Sequence, residues 1–264
     1  MATRMAKHIP NLFTLLNLFF GCVAITYILQ TNAFELYYTD EGTAVLSATN
    51  SLPNAWWYGS LYIALAALVD FADGYLARLL KANSPLGAQL DSLADVVSFG
   101  VAPSMILYQM LRMAYMQQPN GMQVSILWLT PAFILACAGA YRLGRYNVEA
   151  STSTTFKGVP TPAVGLVVAS FPLLLVYNTL GIHTVLLNPW VLYSIIILLS
   201  YVMVARFHML SLKVGVKQIS LKHPLPWLAA IAIVSGILLH WLAVPITFVS
   251  YIILSLIFLN NKTV

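Results

Sequence analysis

Residues 70–95 read DFADGYLARLLKANSPLGAQLDSLAD, and this stretch decides the fold. It holds four of the chain's five aspartates. Asp70 and Asp73 are three residues apart and Asp91 and Asp95 are four apart, so each pair shares one face of a helix. The residues 82–85 between the pairs, Ala-Asn-Ser-Pro, predict a turn. Two helices therefore form a hairpin on which the acidic faces converge.

The composition places this hairpin in a membrane. Hydrophobic residues make up 60% of the 264 residues and charged residues only 8%, whereas soluble domains carry about 25% charged residues. The net charge is +5, but no run of lysine or arginine indicates a nucleic-acid partner. Cys22 and Cys137 form no metal-binding motif, and we expect both to be buried as small apolar side chains.

Eight apolar segments predict an all-α, polytopic bundle of about eight transmembrane helices, since one span needs about 20 mainly apolar residues. The predicted spans are Ile9–Gln30, Trp56–Leu80, Gly87–Met110, Ile126–Arg145, Pro162–Leu180, Pro189–Ala205, Trp227–Trp241 and Val244–Leu259.

The basic residues predict the orientation. With eight spans, all but one of the 13 basic residues fall on one side, and positive residues favour the cytoplasmic side. They are Arg4, Lys7, Arg78, Lys81, Arg142, Arg145, Lys157, Arg206, Lys213, Lys217, Lys222 and Lys262, and the exception is Arg112. We therefore expect a multi-pass protein of the cell (inner) membrane, with both termini and the aspartates on the cytoplasmic side. The acidic segment Thr31–Asn54 becomes an outward loop.

The aspartates predict a metal site. A carboxylate at membrane depth costs about 2.5–3.5 kcal/mol, and four together repel one another. Divalent cations that prefer oxygen ligands, such as Mg²⁺, Mn²⁺ or Ca²⁺, would offset that charge, and paired ions of this kind promote phosphoryl chemistry. Gly74, Ala77 and Gly87 would let a nucleotide base or a pyrophosphate approach the backbone. Close helix packing in lipid explains small residues equally well, above all at Gly74.

The eight specified positions of DxxDGxxARx8GxxxDxxxD are all present in this stretch, and the pattern resembles the signature of the CDP-alcohol phosphotransferase family. The segment 10–17, Pro-Asn-Leu-Phe-Thr-Leu-Leu-Asn, is similar to the opening helix of that family. Three further stretches, residues 95–103, 142–147 and 156–162, resemble the membrane-integral bacterial and archaeal branch that uses serine as the acceptor.

The resemblance implies a six-helix catalytic core. Residues 1–206 would form this core, residues 207–224 a cytoplasmic connector, and residues 225–264 an appended pair of transmembrane helices. Two chains would associate as a homodimer among the membrane lipids.

The resemblance also implies the reaction and the site. Asp70, Asp73 and Asp91 would hold two divalent ions, Mg²⁺ or Mn²⁺, with Asp95 at the edge as a ligand and as the general base. The phosphatidyl group of CDP-diacylglycerol would pass to the hydroxyl of L-serine, and CMP would leave. The residues expected at the CDP-lipid are Asn11, Thr14, Gly74, Ala77, Arg78 and Gly87. Those expected at the acceptor are Arg142, Arg145, Lys157, Ser98 and Asn147.

Several alternatives stay open at this point. Asn11 and Thr14 also suit an ordinary helix start, and Arg142, Arg145 and Lys157 also suit the bias of positive charge toward the cytoplasm. Within the enzyme class, the acceptor could be glycerol 3-phosphate or inositol phosphate. A cation channel or transporter would also place acidic side chains in a membrane. A scaffold that only binds CDP-lipids is a further alternative.

Overall fold

The structure is a computed structural model, and it describes residues 9–30, 34–38, 44–48, 55–80, 84–118, 121–149, 158–177, 181–207, 209 and 224–260. Within these residues the chain is almost entirely helical. The α-helices are α1 (Ile9–Leu29), α2 (Ala55–Leu79), α3 (Pro85–Asp95), α4 (Ala102–Met116), α5 (Ile134–Glu149), α6 (Thr161–Tyr177), α7 (His183–Leu186), α8 (Pro189–Val204), α9 (Pro224–Leu239) and α10 (Ala243–Asn260).

Shorter elements join these helices. A π-helix, Val96–Val101, connects α3 to α4 without a break, so the two helices form one long rod. Short 3₁₀ turns are Gly121–Gln123, Ile126–Trp128, Thr130–Phe133 and His240–Leu242. Two antiparallel strands, β1 (Phe34–Tyr38) and β2 (Ala44–Ala48), pair within the segment expected to be an outward loop. The sequence analysis did not predict this hairpin.

The predicted helical membrane bundle is confirmed. Each of the eight predicted spans corresponds to a helix or a helical rod, and five segments are long and apolar enough to cross a bilayer. These five are Pro10–Leu29, Ala55–Ala77, Pro85–Met116, Ile126–Val148 and Pro224–Phe258, of which the last includes both α9 and α10. The helices α6 and α8 have 17 and 16 residues, somewhat less than a full span.

Two helices begin with the same local signal. At α3, the side chain of Ser84 accepts a hydrogen bond from the backbone N–H of Gly87, and Pro85 occupies the first helical position. At α8, Asn188 accepts from the backbone N–H of Trp190, and Pro189 follows it. A polar cap satisfies an otherwise unpaired N–H, and proline at this position loses no hydrogen bond. The signal fixes where α3 starts, and hence which way its aspartates point.

The core sits where α1, α2, the α3–α4 rod and α6 meet, and α1 packs most extensively on α2. Its largest fully buried side chains include Ile28, Ile63, Phe99, Ile106, Leu107 and Met110. Phe248 and Tyr251 of α10 join the same buried cluster. Large apolar side chains such as Leu12 and Phe19 point outward, as expected of helices that face lipid.

The expectation that both cysteines are buried is wrong. Cys22 and Cys137 are exposed on the surface of α1 and α5. Lipid tails are as apolar as a protein core, so a small apolar side chain in a span has no reason to turn inward.

Candidate active site

Three aspartates meet in a compact group. Asp70 of α2 and Asp91 and Asp95 of α3 each offer one carboxylate oxygen, and these three oxygens lie within 4.8 Å of one another. Asp95 is only 6% exposed, whereas Asp70 and Asp91 are half-buried. The hairpin of α2 and α3 therefore brings its acidic faces together, as the spacing of the aspartates predicts.

The fourth aspartate of the motif, Asp73, is not one of these three, and its carboxylate bonds to α1. Its Oδ2 accepts a hydrogen bond of 2.9 Å from the hydroxyl of Thr14, which also lies 3.1 Å from the carbonyl oxygen of Pro10. From the sequence, Asp73 is expected among the metal ligands and Asp95 at their edge. In the structure Asp95 lies within the group of three, and Asp73 bonds to Thr14 beside it. The physical reason is that Asp95 follows Asp91 by one helical turn, while the carboxylate of Asp73 is directed toward α1 by its bond to Thr14.

A cavity of about 210 Å³ lies beside the carboxylates, between the start of α1, the end of α2 and the start of α3. Its lining residues are Pro10, Asn11, Thr14, Asp73, Gly74, Ala77, Ser84, Gly87, Ala88 and Asp91. Five of the six residues expected at a CDP-lipid border this cavity. The side chain of the sixth, Arg78, lies outside the described part of the chain. Asp91 belongs to both the cavity wall and the carboxylate group, so the two are continuous.

The glycine at position 87 keeps the cavity open at its wall. A Cβ atom on Gly87 would lie 3.0 Å from Asn11 Oδ1 and 3.0 Å from Ser84 Oγ. A larger residue would therefore press on the start of α1 and on the cap of α3. Gly74 differs, because no atom lies within 4 Å of the position of its Cβ.

A second layer of hydrogen bonds supports Asp95. The side-chain amide of Asn17 donates to Asp95 Oδ1 at 3.3 Å, and the hydroxyl of Ser98 donates to the backbone carbonyl of Asn17 at 3.0 Å. Both residues are fully buried. The hydroxyl of Ser98, a residue expected at the acceptor, thus forms a hydrogen bond between helices. Asn17 is not among the site residues expected from the sequence. Its signal was an amide in an otherwise apolar span, three residues after Thr14 on the same helix face.

The described residues expected at the acceptor form hydrogen bonds with different partners. Arg142 is 7% exposed, and its Nη1 donates to the hydroxyl of Thr161 at 3.2 Å. Its Nε has no partner among the residues that the structure describes. Arg142 also attracts Asp95 electrostatically. Arg145 instead donates to the backbone carbonyl of Val204 at 2.9 Å, so the two guanidinium groups are engaged by different helices.

The other two residues expected at the acceptor give little further evidence of a binding site. Asn147 donates to the hydroxyl of Ser92 at 2.8 Å, which joins α5 to α3. Lys157 lies outside the described residues.

The donor set suits a hard divalent cation. The group offers only carboxylate oxygens, the ligands that Mg²⁺, Mn²⁺ and Ca²⁺ prefer. Three carboxylates this close and this buried repel one another unless protons or a cation compensate their charge. The residues present therefore fit a divalent metal site.

A helical membrane bundle in which a carboxylate cluster adjoins a small cavity, lined by small residues and a few polar ones, suits an enzyme that works at a membrane. The family model of the CDP-alcohol phosphatidyltransferases matches residues 7–190, and the chain belongs to this family. The resemblance read from the aspartate motif is thereby confirmed. The helices α9 and α10 lie beyond the matched residues.

Curated relatives carry a more specific name. The chain is similar to three proteins named CDP-diacylglycerol–serine O-phosphatidyltransferase. The Bacillus subtilis protein is 37% identical over 139 residues, which is 48% of this chain and 70% of the relative. The Helicobacter pylori protein is 34% identical over 161 residues, 60% of this chain and 54% of the relative. The Mycobacterium bovis protein is 31% identical over 211 residues, 76% of this chain and 69% of the relative.

Proposed function

We propose that this chain is a CDP-diacylglycerol–serine O-phosphatidyltransferase, which moves the phosphatidyl group of CDP-diacylglycerol to the hydroxyl of L-serine. The observation that carries the proposal is the group formed by Asp70, Asp91 and Asp95 beside a cavity lined by the small residues of the family motif. The names of the relatives from Bacillus, Helicobacter and Mycobacterium support serine as the acceptor.

The cavity is the proposed site for the cytidine and its phosphates. Gly74, Ala77 and Gly87 leave room for the nucleotide, and Asn11 and Thr14 offer polar groups from α1. Arg78, one residue after Ala77, would meet the negative charge of the nucleotide. The acyl chains of the lipid would remain in the bilayer beside α1 and α2.

The carboxylates are the proposed ligands of two divalent ions, Mg²⁺ or Mn²⁺. When bound, such ions neutralise charge on a pyrophosphate and on its leaving group. Asp70, Asp91 and Asp95 would hold them, and Asp73 would complete the set from the cavity wall.

Asp95 is the proposed general base. A new bond forms between the serine oxygen and the phosphorus on the lipid side, and the bond from that phosphorus to the CMP oxygen breaks. The proton of the serine hydroxyl passes to the carboxylate of Asp95, and CMP leaves with the electron pair.

Arg142 is the strongest candidate for holding the carboxylate of serine. It is buried, it attracts Asp95, and its Nε has no partner among the described residues. A guanidinium binds a carboxylate with good geometry. Arg145, Lys157, Ser98 and Asn147 remain further proposed members of this region, though Arg145 and Asn147 bond to other helices.

The excess of basic residues on one side supports a site that faces the cytoplasm of the cell membrane, with both termini on that side. The homodimer and the division into residues 1–206, 207–224 and 225–264 also remain proposals.

The test is an acceptor assay on the purified protein in mixed micelles with CDP-diacylglycerol and Mn²⁺. Labelled serine, glycerol 3-phosphate and inositol phosphate are supplied in separate reactions, and labelled lipid and CMP are measured. We expect labelled lipid and equimolar CMP with serine alone. Labelled lipid formed only from glycerol 3-phosphate or inositol phosphate would refute serine as the acceptor. The variant Asp95→Asn, checked for folding by its elution and thermal midpoint, should release no CMP.

A further inference from the structure

One polar group of the Asn17 side chain has a hydrogen-bond partner, and the other has none among the described residues. Asn17 is 0% exposed in the middle of α1, and its Nδ2 lies 3.3 Å from Asp95 Oδ1. An ionised carboxylate only accepts hydrogen bonds, so the NH₂ group of Asn17 must be the end that faces Asp95. This contact leaves the amide oxygen of Asn17 on the other side.

That oxygen has no hydrogen-bond donor among the residues that the structure describes. A buried carbonyl without a partner has lost its hydrogen bonds to water and gained nothing in return, which destabilises the fold. An apolar side chain of similar size would avoid this loss. The oxygen of Asn17 therefore adds nothing to stability, and what the asparagine contributes is the hydrogen bond from its NH₂ group to Asp95.

The backbone of Asn17 is tied to the same part of the rod as its side chain. Its carbonyl oxygen accepts a 3.0 Å hydrogen bond from Ser98, which lies in the π-helix that starts directly after Asp95. A π-helix is an uncommon element that occurs often at functional sites. Asn17 thus contacts both the carboxylate of Asp95 and the turn that follows it.

We propose that Asn17 is a positioning residue for Asp95, and that it fixes the rotation of this carboxylate so that one oxygen faces the hydroxyl of the acceptor. The inference rests on the proposed function, because it assumes that Asp95 accepts the proton of the acceptor. Asn17 acts through Asp95 and is not assigned a contact with either substrate.

The test compares Asn17→Leu with a matched control, Gln109→Leu. Gln109 is also a buried amide, it belongs to the α3–α4 rod, and its Nε2 donates to the backbone carbonyl of Ile28 in α1 at 3.4 Å. Ile28 lies 11 residues along α1 from Asn17, about 16 Å away at the helical rise. Each variant removes one side-chain hydrogen bond between α1 and the rod, but only one of these bonds reaches Asp95.

For Asn17→Leu we expect kcat for CMP release to fall roughly 10- to 100-fold, the range for one hydrogen bond to a charged group. The KM values for serine and CDP-diacylglycerol should stay within about threefold. The thermal midpoint should fall, because the variant leaves the buried carboxylate of Asp95 without this donor. Gln109→Leu should also lower the thermal midpoint, because the carbonyl of Ile28 loses its donor, but its kcat should stay within about twofold. Asn17→Ala, which adds no atoms, should reproduce the loss of kcat if the leucine variant folds poorly.

An unchanged kcat in both Asn17 variants would overturn the proposal. So would a fall in kcat that Gln109→Leu shares at a similar loss of thermal midpoint, or one confined to a raised KM. These outcomes differ from failure of the proposed function itself, in which the wild-type protein would form no lipid from serine.

Discussion

The hydroxyl of Thr14 lies 2.9 Å from Oδ2 of Asp73, so a single hydrogen bond joins the start of α1 to the acidic end of α2. Both residues are buried and both line the cavity. Because a hydroxyl carries one proton, the carboxylate of Asp73 competes for it with the carbonyl of Pro10, which lies 3.1 Å away. The charged acceptor gives the stronger bond, so this contact holds the carboxylate of Asp73 against the cavity wall.

The first prediction concerns the hydrogen bond between Thr14 and Asp73. Thr14→Val keeps the shape of the side chain but removes the hydroxyl, so the carboxylate of Asp73 loses its hydrogen bond to α1. A hydrogen bond to a charged group contributes about 1.5–3 kcal/mol, and we expect the KM for CDP-diacylglycerol to rise about 10-fold or more. Steady-state kinetics at fixed, saturating serine measure this change. Thr14→Ser retains the hydroxyl and should bind the lipid nearly as the wild type does. Equal KM values for the valine variant and the wild type would contradict the assignment of Thr14 to the cavity.

The second prediction concerns charge in the carboxylate group. Without metal, Asp70, Asp91 and Asp95 repel one another across less than 4.8 Å, and removing one charge relieves on the order of 1 kcal/mol. Asp91→Asn should therefore raise the thermal midpoint in EDTA, by about 2–4 °C on the scale of globular domains of this size. In saturating Mn²⁺ the wild type should have the higher thermal midpoint, because it gains binding energy from the metal that the variant has largely lost.

Asp73→Asn is the matched comparison for this experiment, since Asp73 lies outside the three-residue group. Its midpoint in EDTA should change less than that of Asp91→Asn. Differential scanning fluorimetry in detergent measures the thermal midpoints with and without metal, and it does not depend on catalysis. A lower midpoint for Asp91→Asn under both conditions would show that the group is held together by contacts other than a metal.

Much of this architecture could be predicted from the sequence because lipid imposes simple rules. Each span must be a long apolar helix, so the eight helices followed from eight apolar segments. The hairpin of α2 and α3 followed from Ser84 and Pro85, which cap a new helix, and from the regular spacing of the aspartates. Helical periodicity also placed Asp91 and Asp95 on one face.

The remaining features depend on contacts between distant residues. Periodicity puts Asp70 and Asp73 on one face, but it does not say which of them meets α3 and which meets Thr14. The π-helix at residues 96–101 has no local sequence signal, since Val-Val-Ser-Phe-Gly-Val suits an ordinary helix equally well. The role of Asn17 likewise follows only from a bond to Asp95, which lies 78 residues away in the sequence.

The third prediction distinguishes two roles of Gly74, which are to leave space for a ligand and to allow helices to pack closely. No atom lies within 4 Å of a Cβ built on Gly74, and the residue borders the cavity. Gly74→Ala should therefore keep or raise the thermal midpoint, because alanine is favoured over glycine in a helix by about 1 kcal/mol. The added methyl group occupies space that we assign to the nucleotide, so the KM for CDP-diacylglycerol should rise at least about fivefold, given a loss of about 1 kcal/mol or more.

Gly236→Ala is the control for this prediction. Gly236 lies in α9, its Cβ position is equally open, and it is far along the chain from the cavity. It should show the same gain in thermal midpoint and no change in KM. A Gly74→Ala variant that binds CDP-diacylglycerol as tightly as the wild type would mean that the nucleotide does not occupy this part of the cavity.

The fourth prediction tests how closely α1 must approach the π-helix. A Cβ on Gly21 would overlap the Oγ of Ser98 and lie 2.9 Å from its Cα, so Gly21→Ala forces the two helices apart. Overpacking of this kind costs about 1–3 kcal/mol, and the shift should also weaken the bond from Asn17 to Asp95. We expect a lower thermal midpoint together with a lower kcat.

The hydroxyl of Ser98 provides the matched second change for this experiment. Adding Ser98→Ala removes the atom nearest to the new methyl group, although the backbone at position 98 still lies close to it. The double variant should therefore recover part of the stability lost by Gly21→Ala. A double-mutant cycle measures this coupling, and strictly additive losses would mean that Gly21 and Ser98 are not in contact.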